Sequence, residues 1–399
     1  MAVCGMLPSQ MTWFFVFALG WLQQGQPTFR SGVELITVDV HATDRSGRPA
    51  VDLTAADFEV HVGGERRKVV SAQLVSYGAA VSADRSAASD APAEKEAPRP
   101  RRMYVLAIDE HSLHISNAIA AVRAAERFID ALEPDDLVGL YAYPTGMAYH
   151  DLTNDHAAVR RELQKVGGAF VERPGKFNLT VSEAIDIANG DNAVVMQVLR
   201  RECGGRSSPG CSAGDIRTEA TAQAAYIEMQ ASQSLGGLRG LVRGLAQIPG
   251  RKILVLVSGG LIATDQAGGR ADTSAEISYI ARDAALANLA VFALHLDWSF
   301  ITSATSRAGL RTTLFRDGNL AAGGLERIAG STGGTMLRVY GTAPEKAFDR
   351  VLLETSAYYL VGVESGASDR DGHPEGIRVT TKRRGVQVRS RPIVVIPAK

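Results

Sequence analysis

The residues best suited to chemistry follow the apolar stretch "YVLAI" at positions 104–108. Asp109, Glu110, His111 and Ser112 come next and offer carboxylate, imidazole and hydroxyl groups. A strand that delivers a carboxylate to the edge of a sheet builds metal and phosphate sites in many α/β proteins. The cluster therefore raises two alternatives, a metal site and a phosphate site.

The glycine pattern of the chain argues against a nucleotide or phosphate site. A dinucleotide-binding fold needs G-x-G-x-x-G directly after its first strand, and "IDEHSLHIS" contains no glycine. The glycine-rich "GSTGG" (330–334) follows a predicted helix and precedes a strand, which is the reverse of a phosphate-binding loop. A helix C-terminus leading into a strand explains it better.

Catalytic patterns are equally weak. "VSGGL" around Ser258 is not the G-x-S-x-G elbow, because the glycines follow the serine. His295 and Asp297 share one face of a strand, but no serine or cysteine is placed beside them by sequence. We therefore expect a non-enzymatic protein with no catalytic residue. The alternative is a metal-dependent hydrolase on an α/β sheet, with Asp109, His111 and Asp297 as ligands.

Residues 101–354 show the alternation that would position such a site. Apolar strands such as "MYVLAI" and "KILVLVS" alternate with helical stretches such as "NAIAAVRAAERFIDAL" and residues 215–246. This pattern predicts a doubly wound, mostly parallel sheet with helices on both faces. Ligands of such sheets bind beyond the carboxyl ends of the strands.

The two ends of the chain have a different periodicity. Residues 31–77 and 356–399 alternate with period two, with Gly63-Gly64 at a hairpin bend. We expect the two segments to pack together as one smaller β-sandwich-like domain. Residues 78–100 contain almost no large apolar side chain and predict a flexible linker.

Charge and the N-terminus bear on partners and compartment. In 399 residues the basic and acidic counts are both 43, which removes the basic excess expected of a nucleic-acid binder.

The apolar run in "MTWFFVFALGWLQQGQ" is too short to span ~30 Å of hydrocarbon, so we predict a signal peptide over 1–26 and no transmembrane span in the mature chain. The protein would then be exported: periplasmic, envelope-associated or extracellular. The alternative is a buried N-terminal segment of a cytosolic protein.

Two cysteines would remain after removal of the signal peptide. Cys203 and Cys211 flank "GGRSSPG", whose glycines and proline let the chain turn back on itself as a disulfide requires. An even count in an exported protein predicts a Cys203–Cys211 disulfide. A zinc half-site is the rival, but no second Cys/His pair at ligand spacing accompanies it.

The chain resembles the von Willebrand factor A domain, and more closely the von Willebrand factor A-related family named for acidobacterial proteins. The resemblance covers most of the mature chain and depends on the order of several stretches. They are "VDVHATDRSGRPAVDLTAADFEVHVGGERRKV", "VLAID", "FIDALEPDDLVGLYAY", "RKILVLVSGG", "LERIAGSTGGTML" and "YYLVGVES". The family implies a partner-binding protein, and its metal-ion-dependent adhesion site uses D-x-S-x-S, a threonine and a strand-ending Asp to hold Mg²⁺.

This chain matches that site only in part. Asp109 takes the first position, but His111 and Leu113 stand where the serines are expected, with Ser112 and Ser116 out of register. Thr180 is a candidate for the threonine, although a capping box with Glu183 explains it better. Ser258 stands in place of the strand-ending Asp. The resemblance thus implies a degenerate adhesion site with no cofactor, or with a weakly bound Mg²⁺ or Mn²⁺.

Other arrangements of the same residues remain open. Glu110 and His111 could join Asp109 in a site for a softer metal such as Zn²⁺ or Mn²⁺. Asp265 or Asp297 could supply another ligand. Without a metal, Asp109 would hydrogen-bond neighbouring loop amides. In each case we expect an unidentified protein partner to bind the loops that follow the core strands.

Overall fold

Short strands at both ends of the chain enclose a middle part in which strands and helices alternate. The computed structural model describes residues 35–77, 101–171, 175–264, 266–297, 313–341, 343–366 and 373–395. The strands are Leu35–Thr43 (β1), Phe58–Val62 (β2), Glu65–Arg67 (β3), Val69–Ser76 (β4), Met103–Asp109 (β5), Leu137–Tyr143 (β6), Tyr149–Thr153 (β7), Lys252–Ser258 (β8), Leu289–Asp297 (β9), Met336–Tyr340 (β10), Ala357–Glu364 (β11), Pro374–Thr381 (β12), Gln387–Ser390 (β13) and Ile393–Val395 (β14). The α-helices are Ile115–Asp130 (α1), His156–Leu163 (α2), Val181–Ala188 (α3), Asn192–Cys203 (α4), Ala213–Leu245 (α5), Ser274–Leu286 (α6), Leu314–Ser331 (α7) and Glu345–Glu354 (α8).

The middle part is built on a six-stranded sheet in the order β10-β9-β8-β5-β6-β7. Five strands are parallel and β7 runs antiparallel to β6 at one edge. Strands β8 and β9 are buried along their whole length, because helices cover them and their residues are almost all apolar. The expected mixed α/β fold with a mostly parallel sheet is present.

Side chains of the parallel strands alternate between two apolar clusters. One cluster joins Leu106 and Ile108 of β5 to residues of α1, α2 and α8. The other joins Val105 and Ala107 of the same strand to residues of α5, α6 and α7. Residues at odd positions of β5 therefore face α5, and this face includes Asp109.

Strands from the two ends of the chain pair with one another in separate antiparallel sheets. One sheet has the order β13-β1-β11-β4 and the other β14-β12-β2-β3, with a shared apolar cluster. Gly63 and Gly64 both have positive φ and form the bend between β2 and β3, as the hairpin pattern predicted. These sheets and the parallel sheet belong to one compact unit, residues 34–399, so independent folding of a domain bounded at 101 and 354 stays a prediction.

Two elements of the middle part were not predicted from the sequence. Strand β7, "YHDLT", is only half-buried and lacks an apolar run. Helix α4 begins at the cap Asp191 and ends at Gly204 in the left-handed conformation. The signal peptide predicted at 1–26 and the linker predicted at 78–100 lie outside the described residues, as does Asp265.

Candidate functional site

A row of polar side chains crosses the carboxyl end of the parallel sheet on the face covered by α5. The strand registers place one residue from each parallel strand at the same level. From one edge to the other they are Tyr143, Asp109, Ser258, His295 and Arg338. Apolar side chains fill the same face one and two pleats earlier, so the row marks the end of the apolar layer.

Asp109 is the centre of this row and is almost completely buried, with 1% of its surface exposed. The Ser234 hydroxyl of α5 lies 3.0 Å from each of its carboxylate oxygens. The Ser258 hydroxyl donates to Oδ2 at 3.2 Å and lies 2.9 Å from the Ser112 hydroxyl. We call Asp109, Ser112, Ser234 and Ser258 the Asp–Ser cluster.

The Asp–Ser cluster also ties two loops together. The Ser112 hydroxyl donates to the backbone oxygen of Asp109 at 2.9 Å and accepts the amide of Gly259 at 2.8 Å. A Cβ added to Gly259 would lie only 1.9 Å from the backbone oxygen of Ser112, so the close approach requires glycine. The loops after β5 and β8 are thereby joined directly.

Burial and hydrogen bonding shift the pKa of Asp109 in opposite directions. Burial raises the pKa of the carboxyl from 3.8 to about 6, although hydrogen bonds from Ser234 and Ser258 and the nearby Ser112 hydroxyl lower it. The nearby imidazole of His111 also lowers this pKa, by a smaller amount. Hydroxyl dipoles thus compensate only part of the cost of removing the charge from water.

The other acidic and imidazole side chains of the predicted site do not join Asp109. Glu110 is buried, but its carboxylate accepts the Thr145 hydroxyl and the Gly167 amide, the latter at 3.1 Å. His111 is half-exposed, and its interaction with Asp109 is the smallest of these effects on the pKa of that carboxyl. The expected hydrogen bonds from loop amides to Asp109 are replaced by serine hydroxyls, because α5 brings Ser234 within reach.

Thr180 has the helix-capping role that the sequence predicted. Its hydroxyl accepts the Glu183 amide at 3.3 Å, and the Glu183 carboxylate accepts the Thr180 amide at 3.0 Å. Ser182, at 3.4 Å, is the other group near this hydroxyl. Thr180 has no hydrogen bond to the Asp–Ser cluster, so the structure does not bring this predicted ligand to the site.

His295 and Asp297, at the end of β9, do not form a catalytic dyad. Nε2 of His295 lies 3.1 Å from the backbone oxygen of Gly259, and burial lowers the pKa of this imidazole to about 4. Asp297 instead pairs with Arg338, with nitrogen–oxygen distances of 2.7 and 2.8 Å. The imidazole is therefore neutral near pH 7, and the carboxylate is already neutralised by an arginine.

The Asp–Ser cluster lacks the ligands that a divalent cation requires. Among the described residues there is no group of three or more His, Cys, Asp or Glu side chains that could hold a metal ion. The Asp–Ser cluster supplies one carboxylate, whose pKa is raised, and hydroxyls that are already hydrogen-bonded. Magnesium sites need more charge and an open coordination position, so these residues do not fit one.

Ser234 is the site residue that sequence reasoning missed. It lies 125 positions after Asp109 and belongs to a helix with no site motif. A signal was present nearby, since Gly236 and Gly237 are unusual inside a helix. A Cβ at Gly237 would lie 2.8 Å from the ring of Tyr143, so the glycine lets α5 approach the sheet closely enough for Ser234 to reach Asp109.

The disulfide predicted between Cys203 and Cys211 is present, with a Cα–Cα distance of 5.8 Å. Both cysteines border a small apolar cluster formed by α3, α4 and the start of α5. Lys176 and Phe177, which precede α3, donate their amides to Glu219 of α5 at 2.9 and 3.0 Å. This helical segment is therefore anchored on the same helix that carries Ser234.

None of the described helices combines the length and the hydropathy of a membrane-spanning segment.

Comparison with known proteins gives remote structural similarity only. No family model matches the chain, and no curated protein matches it. The von Willebrand factor domain of the type V pili tip protein Mfa5 from Porphyromonas gingivalis is 12% identical, with a TM-score of 0.27, and the match covers 63% of this chain and 93% of that one.

The pilus adhesin SpaC from Lactobacillus rhamnosus GG, in its open conformation, is 9% identical with a TM-score of 0.31. That match covers 86% of this chain, which spans about half of SpaC, 48%. Similarity of this size leaves membership of the von Willebrand factor A-related family a prediction.

Proposed function

We propose that the chain is an exported, non-enzymatic protein-binding module of the von Willebrand factor A type with a doubly wound sheet. In this proposal the Asp–Ser cluster stands at the position of a metal-ion-dependent adhesion site but does not hold Mg²⁺ at physiological concentrations. The partner is another protein, which binds the loops at the carboxyl end of the parallel sheet.

The observation that carries the proposal is the enclosure of Asp109. Adhesion-type recognition through a metal requires a cation that leaves one coordination position open to a partner carboxylate. Asp109 is instead covered by α5, and both of its carboxylate oxygens accept hydroxyl groups. The cluster therefore stabilises the loops that surround it, and the partner protein binds the exposed surface of those loops.

Exposed apolar side chains at the carboxyl end of the sheet favour a protein partner. Ile115 follows β5, Met147 lies between β6 and β7, and Val171 adjoins the loop after β5. Phe315 lies at the start of α7 and Tyr340 at the end of β10. The exposed fractions of these five side chains are 64 to 82%. Large apolar side chains grouped at one end of a protein are typical of interaction surfaces.

A site-specific crosslinking experiment tests this proposal. A photoreactive amino acid is placed at Met147 or Phe315, and in a matched control at Val70 of β4, which is exposed but belongs to the antiparallel sheets. In native cells we expect adducts from the first two positions and none from Val70, with equal yield with and without EDTA. Absence of adducts at both positions, or their loss in EDTA, would contradict the proposal.

A further inference from the structure

A groove of about 510 Å³ lies where the antiparallel sheets meet the amino-terminal ends of the parallel strands. Its apolar wall includes Met103 and Leu137, at the starts of β5 and β6, and Leu360 of β11. Small-molecule sites have volumes of this order and occur at boundaries between structural layers. The groove is at the opposite end of the sheet from Asp109, so the proposed partner surface does not use it.

A second, much smaller cavity of about 20 Å³ adjoins the groove. Asp39, Arg251 and Asn288 line both spaces, so the two are neighbours around the same side chains. A space of this size admits about one water-sized group. The wide, partly apolar groove and the small polar cavity therefore lie side by side, and we call the cavity the narrow end.

Arginines outnumber carboxylates around this site. Arg101, Arg251 and Arg391 line it, whereas Asp39 is the one carboxylate among its lining residues. Asp39 is held by Arg251, with Nε and Oδ2 3.2 Å apart. The lining therefore has an excess of positive charge, which favours an anion.

His41, which also lines the narrow end, adds no opposing charge. Its Nδ1 lies 3.2 Å from the backbone oxygen of Glu354, and its Nε2 contacts the guanidinium of Arg251. Nε2 must accept from that guanidinium, so Nδ1 carries the proton and the ring is neutral. Burial, with Arg251 and Arg389, lowers the pKa of His41 well below its ordinary value.

Arg391 is the residue at the narrow end whose hydrogen bonding is incomplete. Its terminal nitrogens reach the backbone oxygens of Ala285 and Thr37 and Oδ1 of Asn288 only at 3.3 to 3.4 Å. Its Nε–H is buried and has no acceptor in the part of the chain that the structure describes. Burial lowers the pKa of this guanidinium, and Asp39 is the charge that opposes the shift. An acceptor with negative charge would satisfy both the nitrogen and the cation.

We propose that this junction binds a small organic carboxylate with a flat apolar body. One carboxylate oxygen enters the narrow end toward Arg391, and the rest of the carboxylate lies at its mouth beside Arg251, because a planar guanidinium matches a planar carboxylate. The apolar body lies in the groove against Met103, Leu137 and Leu360. Arg101, which is exposed at the groove, adds a second, long-range attraction.

Calorimetric titration of the full chain with 2-naphthoate and its neutral analogue 2-naphthamide tests the site. We expect naphthoate to bind at least about tenfold more tightly than the amide, because only the acid forms charge-assisted hydrogen bonds. Arg391→Gln should remove that preference, and Arg101→Ala should weaken naphthoate binding without disturbing the fold. Arg123→Ala, on the exposed face of α1, is the matched control and should leave binding unchanged.

Three results would overturn this inference. The first is that millimolar naphthoate gives no heat of binding, and the second is that the acid and the amide bind with equal affinity. The third is that Arg101→Ala and Arg391→Gln bind naphthoate with the same affinity as the unmodified chain. Since Arg101 is exposed, its variant keeps the test valid even if Arg391→Gln does not fold.

Discussion

The hydroxyl of Ser234 lies 3.0 Å from both carboxylate oxygens of Asp109, which joins the longest helix of the described chain to the end of β5. The contact covers the carboxylate from the side of α5, and Ser258 covers it from the neighbouring strand. These hydroxyl groups therefore compete with a cation for the carboxylate oxygens.

Removal of the Ser234 hydroxyl should destabilise the protein. Ser234→Ala leaves a buried carboxylate with one partner fewer, and we expect the free energy of unfolding to fall by about 1 to 3 kcal/mol. Urea denaturation measures the change. Ser232→Ala is the matched control, since Ser232 is exposed on the same helix and its replacement should have little effect. Equal stability of the two variants would show that the contact contributes nothing.

Ionisation of Asp109 should make the protein less stable as the pH rises. Its folded pKa of about 6 exceeds its ordinary value of 3.8, so between these pH values the folded state binds more protons than the unfolded state. Stability from this group is present below pH 4 and is lost as the pH rises through 6. The loss is about 3 kcal/mol, from about two units of pKa.

The variant Asp109→Asn isolates this effect because it cannot ionise. We expect its stability relative to the unmodified protein to increase by about 3 kcal/mol between pH 4 and pH 8, as measured by urea denaturation at several pH values. Groups other than Asp109 titrate in both proteins and cancel in the difference. A difference that does not change with pH would contradict the raised pKa.

Loss of the Cys203–Cys211 disulfide should loosen its loop more than the whole fold. A loop this short predicts a stabilisation of only about 2 to 3 kcal/mol. In the double variant Cys203→Ser, Cys211→Ser we expect faster tryptic cleavage at Arg206, which is exposed between the two cysteines. Peptide mapping times the cleavage, with the unmodified oxidised protein as control. Unchanged cleavage at Arg206 would show that the disulfide does not order this loop.

The N-terminal strands should not fold without the C-terminal ones. Residues 31–77 contain β1 to β4. Apart from the short β2–β3 hairpin, these strands pair with β11, β12 and β13, which all lie after residue 356. We expect this piece alone to be unfolded by circular dichroism, whereas residues 101–354 should unfold cooperatively. Cooperative unfolding of the isolated N-terminal piece would contradict this expectation.

The sequence predicts those features that depend on local patterns. Continuous apolar runs identified β8 and β9, a capping box identified the start of α3 at Thr180, and paired glycines identified the bend after β2. Strand β7 escaped detection because its half-buried residues alternate irregularly, and its place depends on pairing with β6. Ser234 escaped because its role arises only when α5 packs on the sheet. Local signals thus predicted elements, whereas the contacts of Asp109 depended on tertiary packing.

Metal titration shows whether Asp109 holds a cation. Calorimetry with Mg²⁺, Mn²⁺ and Zn²⁺ is carried out on the unmodified chain and on Asp109→Ala. A single buried carboxylate with a raised pKa should bind Mg²⁺ weakly or not at all, so we predict no Mg²⁺ binding in the micromolar range and no difference between the two proteins. Micromolar Mg²⁺ affinity that Asp109→Ala abolishes would instead show a working adhesion site.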